Sequence, residues 1–272
     1  MHLIFFLFFL PIIAFASEQC DTRYKVGVGT SWPPYVMYRD TVPYGLDVDI
    51  TRRVFSKAKL CIDFVQLPSS ARGITELSKG FIDILPSASF NTQRAELAFF
   101  SQAYRRERMR LFTRKEKVKE VRSLTELFAS EHTFVSNPGA YYGKELEQIL
   151  KIAWYRERLL EVPSINQRMQ LVNRRRVDFL IEDEFSGFYY IEKLGFEQMR
   201  IHPYVVNDNA IHFMLSRKSF NKQQIDEINA AIDALKDEIA DLIGQYGINT
   251  EARPKVRALS HFMECDVCTK LA

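Results

Sequence analysis

Two short segments of this 272-residue chain carry side chains able to hold a small charged molecule. The apolar run 82–85 is followed by Ser87, Ala88 and Ser89 and then by Asn91-Thr92-Gln93-Arg94; the apolar run 177–181 is followed by Glu182-Asp183-Glu184. The first segment offers hydroxyls and a guanidinium, the second offers carboxylates. An arginine forks onto a carboxylate through two parallel hydrogen bonds, and a carboxylate accepts from an ammonium, so the two segments facing each other would grip a zwitterion from opposite sides. The plain alternatives are a surface charge for Arg94 and a helix cap for Asp183. In the same way Trp32 and Tyr35, kept in a loop by Pro33-Pro34, are either a platform for a ligand or part of the core.

Other chemistries find little support. Gly27 and Gly29 follow a strand-like run, but Trp32 occupies the third glycine position of a dinucleotide fingerprint and Pro33-Pro34 denies a phosphate its helix N-terminus. His261 with Cys265 and Cys268 supplies three of the four ligands that a structural zinc needs, so neither metal nor cofactor is expected. No nucleophile and base stand at a diagnostic spacing, although Glu182, Glu184 or His132 could serve as a proton donor; an enzyme is not expected. A formal net charge of +3 is too small to argue for nucleic acid, and the arginines at 105, 106, 108, 110 and 114 alternate as a strand with one solvated face would.

The apolar stretch 3–16 is too short to span a membrane and closes on Ala14-Phe15-Ala16, which reads as a signal peptide cleaved after residue 16, leaving a soluble exported protein. Export favours disulfides for the four cysteines, which permit three pairings. Cys20 precedes the first strand and Cys61 begins the second. If those strands run side by side, a Cys20–Cys61 bridge ties their starts and leaves Cys265 and Cys268 to close on each other.

The elements that must position these groups follow from hydrophobic period and punctuation. A strand at 24–29 precedes a helix from about Gly45 to Lys59, with Asp47 as its expected N-cap; then come a strand at 62–67, a helix capped by Ser69 or Ser70 and ended by Gly80, and the buried strand 82–85. The pattern restarts after 115–119. A helix begins at Ser123, a strand runs over 132–136 and stops at Asn137-Pro138-Gly139, and a helix over 164–176 leads into the strand 177–181. A strand at 210–215 and one long amphipathic helix over 222–246 close the series. Such alternation implies an α/β fold of two lobes, each a mostly parallel sheet with flanking helices.

Five segments in this order and spacing resemble the bacterial extracellular solute-binding proteins of family 3. They are Gly-Leu-Asp-Val-Asp-Ile at 45–50, Gly80-Phe81-Ile82-Asp83-Ile84, Ser89 with Gln93-Arg94, Phe100-Ser101 with Ala103-Tyr104, and Val177-Asp178 with Glu182-Asp183. The resemblance implies a clamshell of two lobes joined by two crossover strands, with hinges near 112–114 and 205–211. Lobe one would comprise residues 17–112 and 211–250, lobe two 113–210, and the tail with its cysteine pair 251–272. It further implies that Arg94 holds a ligand α-carboxylate and Asp183 its α-amino group, with Ser87 and Ser89 on the same wall, Trp32 and Tyr35 stacking, and Arg72 reaching the cleft. Gly139-Ala140-Tyr141 departs from the family pattern, which places a small hydroxyl after the glycine; with Ala140 and Tyr141 there, the resemblance does not carry over a second carboxylate contact, and Tyr141 stays a candidate for the cleft. The implied role is a monomeric periplasmic receptor that captures an amino acid or related carboxylate for an inner-membrane ABC permease. A sensor, or a dehydratase acting on a small carboxylate, is the alternative.

Overall fold

The structure is a computed structural model that describes residues 20, 22–114 and 120–246. The expected leader, the connection 115–119 and the tail with Cys265 and Cys268 lie outside the described residues. In chain order the elements are β1 (Arg23–Val28), a hairpin of β2 (Met37–Arg39) and β3 (Val42–Tyr44), α1 (Leu46–Lys57), β4 (Cys61–Gln66), α2 (Ser70–Lys79), β5 (Ile84–Ser89), α3 (Thr92–Leu97), β6 (Ala98–Phe100) and β7 (Arg105–Thr113). The second half supplies α4 (Leu124–Ala129), β8 (Phe134–Ser136), α5 (Lys144–Ile149), α6 (Ala153–Arg156), β9 (Leu159–Glu161), α7 (Ile165–Asn173), β10 (Phe179–Asp183) and α8 (Glu184–Leu194). The chain then returns through β11 (Arg200–Ser216), α9 (Lys222–Ala234) and α10 (Lys236–Gln245).

One curled mixed sheet runs through the molecule in the order β4-β1-β5-β11-β7-β10-β8-β9, with β6 also on β11. The outer strands pair in parallel on both sides, β1 with β4 and β5, and β8 with β9 and β10. Between them β7 and β11 run antiparallel to each other. These are the two crossover strands. Ile211 and Leu215 of β11 pair with Ser89 and Ile84 of β5 in lobe one, while Met109 to Thr113 of β7 pair with Asp183 to Phe179 of β10 in lobe two. The expected hinge segment 112–114 begins inside the three-strand stretch β10-β7-β11, and the segment 205–211 contains a register shift between Val205 and Asn207.

Each lobe buries apolar side chains on both faces of its sheet. Along β10, Phe179 and Ile181 enter one cluster with Phe128 and Phe134, and the intervening Leu180 enters another with Val135, Ile165 and Met169. That follows from the two-residue period of a strand covered on both faces. In lobe one, Val26, Ile50, Val54 and Phe55 pack with Ile228 and Ile232 of α9, while Leu67, Leu77 and Ile82 fill the opposite side.

Several expected boundaries move. Ser69 caps α2 by accepting from Arg72 N, and Gly80 ends it in the left-handed region (φ 79°). Asp47 is not an N-cap: Gly45 holds that position, and Asp47 lies within α1, fully buried, because Arg105 draws its carboxylate inward. Ser87 and Ser89 belong to β5, which starts at Ile84; just before it the Asp83 carboxylate accepts from Lys25 N at 2.7 Å. The expected short final strand is the latter part of the 17-residue β11, and the long helix breaks at Leu235 into α9 and α10, each laying a buried stripe on lobe one. Cys20 and Cys61 form a disulfide with Cα atoms 6.1 Å apart, at the end of the sheet where β1 and β4 begin their parallel pairing with Arg23 opposite Cys61. No described helix is long and apolar enough to cross a membrane.

Candidate ligand cleft

The lobes face each other across a cleft of about 150 Å³, lined from lobe one by Trp32, Ser87, Ser89 and Arg94 and from lobe two by Tyr141 and Glu182. A second hollow of about 290 Å³ adjoins it and shares Arg94 and Tyr141. Arg94 rides on α3, whose N-cap Asn91 accepts from Arg94 N at 2.7 Å. Its guanidinium donates to Ser89 O at 2.9 Å in lobe one and to Gly139 O at 2.8 Å in lobe two. These two bonds leave further N–H donors of the fork for a ligand. Burial pulls the Arg94 pKa below the usual arginine range, and Glu107 and Glu147 oppose that pull. Arginine stays charged under such a shift.

Behind the cleft lies a polar chain that ties lobe to lobe. Ser87, held at φ 58°, receives the Tyr104 hydroxyl as acceptor for its N–H at 2.8 Å, and its own hydroxyl donates to the Asp47 carboxylate. Arg105 forks onto Asp47 through Nε–Oδ1 at 2.7 Å and Nη2–Oδ2 at 2.6 Å. The same guanidinium stands 4.1 Å from the Tyr35 ring, which packs on Trp32 with centroids 4.4 Å apart. Trp32 Nε1 then donates to Glu182 Oε1 at 2.9 Å, and the other Glu182 oxygen accepts from Arg168. A further bridge runs from Asn137 Nδ2 to Ser70 Oγ at 3.2 Å.

The candidates from the sequence are therefore divided. Ser87, Ser89, Trp32, Arg94 and Tyr141 meet at the cleft. Tyr35 does not line it; the ring is fully buried beneath Trp32 and Arg105. Arg72 does not line it either, since its exposed guanidinium pairs with Glu76 one turn along α2 at 2.9 Å. Asp183 is fully buried and away from the cleft lining. Its Oδ1 caps α8 by accepting from Phe185 N at 3.0 Å and Ser186 N at 2.9 Å, while Oδ2 faces the Tyr35 hydroxyl without a well-formed hydrogen bond. The last strand residue is the one that must cap the helix that follows at once, and this pulls the carboxylate inward. Burial pushes its pKa up to about 7, against the Ser186 N–H and Arg105.

Glu107 is a cleft residue that motif reading missed. It sits on β7 only 4% exposed, lines the cleft, and accepts one long hydrogen bond from Ser89 Oγ at 3.5 Å. Burial pushes its carboxyl up to about 8, opposed by Arg105 and reinforced by Asp183, Asp47 and Glu182. The signal for it was in the alternation of β7. Arg105, Glu107 and Met109 share the buried phase, and Arg106 and Arg108 take the exposed phase, where both bond Asp208. Charged residues on the buried phase of a strand need partners or a function.

A family model described as bacterial extracellular solute-binding proteins, family 3, matches residues 24–250. No curated protein sequence matches the chain. Among solved structures, a substrate-binding protein of an ABC uptake transporter from Streptococcus pneumoniae with bound histidine is similar at 20% identity. The match covers 82% of this chain and 92% of that one, with a TM-score of 0.69. A mutant of ArgBP from T. maritima is similar at 16% identity over 82% and 94% of the two chains, with a TM-score of 0.69. A histidine kinase sensor domain similar to periplasmic binding proteins matches at 15% identity over 84% and 97%, with a TM-score of 0.71. These likenesses extend over the whole two-lobed frame and carry the fold, whereas the family match carries membership: the chain belongs to the bacterial extracellular solute-binding proteins, family 3.

Proposed function

We propose that the protein captures a small carboxylate, an amino acid or a close relative, in the cleft between its lobes, and presents the closed form to an inner-membrane ABC permease from the periplasm. The observation that carries this reading is Arg94, whose guanidinium lines the cleft and bonds backbone carbonyls of both lobes at once. A ligand carboxylate on its remaining donors gains from the lobes being together, and only such differential contact drives closure. Capture needs no covalent step, and the protein acts as a binding protein and a monomer. The sensor reading has one observation in its favour, the likeness to a histidine kinase sensor domain, and it shares the same cleft chemistry.

A thermal-shift screen against amino acids, organic acids, small peptides and polyamines tests the proposal. A captured compound at 100 times its Kd adds about 2.7 kcal/mol of stability. Arg94→Ala should keep the fold yet weaken a carboxylate hit by about 2–5 kcal/mol, and Arg94→Lys should restore little because a point charge cannot reproduce the fork. Near-native affinity in a folded Arg94→Ala protein would remove the basis of the reading.

A further inference from the structure

The loop that follows β1 belongs to lobe one, yet its side chains are engaged with lobe two. It is folded on itself by Trp32 N to Val36 O at 2.7 Å and Val36 N to Trp32 O at 3.0 Å. The Trp32 ring packs against two clusters at once, the lobe-one core with Tyr35 and Val36 and the lobe-two core with Val135, Ile165 and Met169. Its indole N–H donates to Glu182 Oε1 at 2.9 Å, and the neighbouring Ser31 faces the Tyr190 hydroxyl of α8.

The receiving end is set in advance by lobe two. Arg168 and Glu182 are at most 4% exposed and pair through one carboxylate oxygen, while Val162 O and Pro163 O each hold Arg168 Nη1 at 2.7 Å. The other oxygen, Oε1, accepts from Asp183 N of its own lobe at 3.1 Å and has the indole as its partner across the cleft. Parting the lobes would return the indole face to water and take a charge-assisted bond from the carboxylate, and both changes are unfavourable. Arg94 to Gly139 O at 2.8 Å and Asn137 to Ser70 at 3.2 Å pull in the same direction from other points of the boundary. All of these contacts are made between protein atoms.

We propose that Trp32, with Glu182 set by Arg168, is a latch that holds the lobes together by itself. The closed form is then the resting form, and a compound enters only during excursions to an open one. The latch works without the capture proposed above and holds whichever compound the cleft takes. A ligand that touches both lobes deepens a balance that already leans towards closed, and its association is slowed by the small open fraction through which it must pass. Trp32 and Glu182 are in this respect positioning residues for the lobes.

The experiment is small-angle scattering, with circular dichroism and tryptophan fluorescence, on protein dialysed from guanidinium chloride to strip captured compounds, its disulfide left intact. The wild type should scatter as the closed lobes of this structure do. Trp32→Phe keeps an aromatic ring and the Arg168–Glu182 pair but removes the N–H. It should raise the open-to-closed ratio by roughly 10- to 100-fold, read as a larger radius of gyration with an unchanged dichroism spectrum. The chain has two tryptophans, and Trp154 is 61% exposed, so Trp154→Phe leaves Trp32 as the sole reporter. In that variant Trp32 should emit at short wavelength and be quenched weakly by acrylamide, and adding Glu182→Gln should increase the quenching. A wild type as expanded as Trp32→Phe would overturn the latch. So would a Trp32→Phe protein that melts earlier with no change in radius, since the indole bond would then be packing alone. Should Trp32→Phe fail to fold, strong quenching of Trp32 in Trp154→Phe, where the latch is untouched, would overturn it. Each of these results leaves capture standing, because no compound is present.

Discussion

Glu107 and Asp183 are acids whose folded forms hold protons well above the usual carboxylate range, at about 8 and about 7, because burial disfavours their charge. The sign of the consequence is fixed. Above the ordinary values near 4, the unfolded chain releases protons that the folded chain retains, so stability is fully present below pH ~4 and falls as the pH rises through about 7 to 8. Urea denaturation at pH 5 and pH 8.5 should show a lower midpoint at the higher pH, and Glu107→Gln should flatten the profile. A midpoint that rises with pH would mean that these carboxyls ionise freely in the folded state. At this scale the sequence was partly legible. Arg94, Ser87 and Ser89, proposed from their place after a buried strand because strand ends are where an open sheet presents ligands, line the cleft. Asp183 shared that place and yet turned inward, because the helix beginning at Glu184 leaves it as the capping residue. Glu107 was hidden in a run of arginines, and its burial depends on a strand phase that only pairing with β10 and β11 selects.

The elements were more legible than the residues. Helix starts at Ser69, Ser123 and Ser164 and the stop at Gly80 came from local capping chemistry, which acts within a few residues and is written there. The extent of β11 was not legible. Its first part, from Arg200, is polar and exposed in places, and is strand only because β7 lies beside it with matching backbone groups. The Cys20–Cys61 bridge belongs to this scale as well, since it depends on β1 and β4 being parallel neighbours. It closes a loop with a sequence separation of 41. Reducing agent should therefore lower stability by about 3–4 kcal/mol, read as a shift in the denaturation midpoint. Peptide mapping that joins Cys20 to Cys265 or Cys268 would contradict the bridge.

For the whole molecule, the lobes meet where backbone packs on backbone. Gly139, at φ 77°, lies so close to α2 that a Cβ there would stand 2.5 Å from Ala71 N. Gly139→Ala introduces a left-handed penalty of about 1–2 kcal/mol and a wedge between the lobes. The expected outcome is a larger radius of gyration by small-angle scattering and weaker capture of any compound that the screen finds. An unchanged radius with unchanged affinity would show that this contact does not set the closed form. The two-lobed architecture was legible because the β-α-β order repeats in both halves of the chain. The close approach at Gly139 was not, since it joins residues 68 apart in sequence whose proximity exists only after both lobes have formed.

The return of the chain through β11 also fixes how motion can leave the molecule. The described chain is pinned to lobe one at its start by the Cys20–Cys61 bridge, and it finishes on the same lobe, where the Tyr246 hydroxyl donates to Asp49 of α1 at 2.6 Å and Arg53 pairs with Glu238. Among the described residues, β7 and β11 are the strands by which the backbone passes between lobe one and lobe two. Its swing is therefore a lever with a single fulcrum, and the span between Thr22 and Tyr246 stays constant while it moves. Force applied at either end of the described chain is borne by lobe one. A spectroscopic ruler laid between those ends would stay silent on capture, whereas one laid from Thr22 to the exposed Trp154 of lobe two would record each stroke.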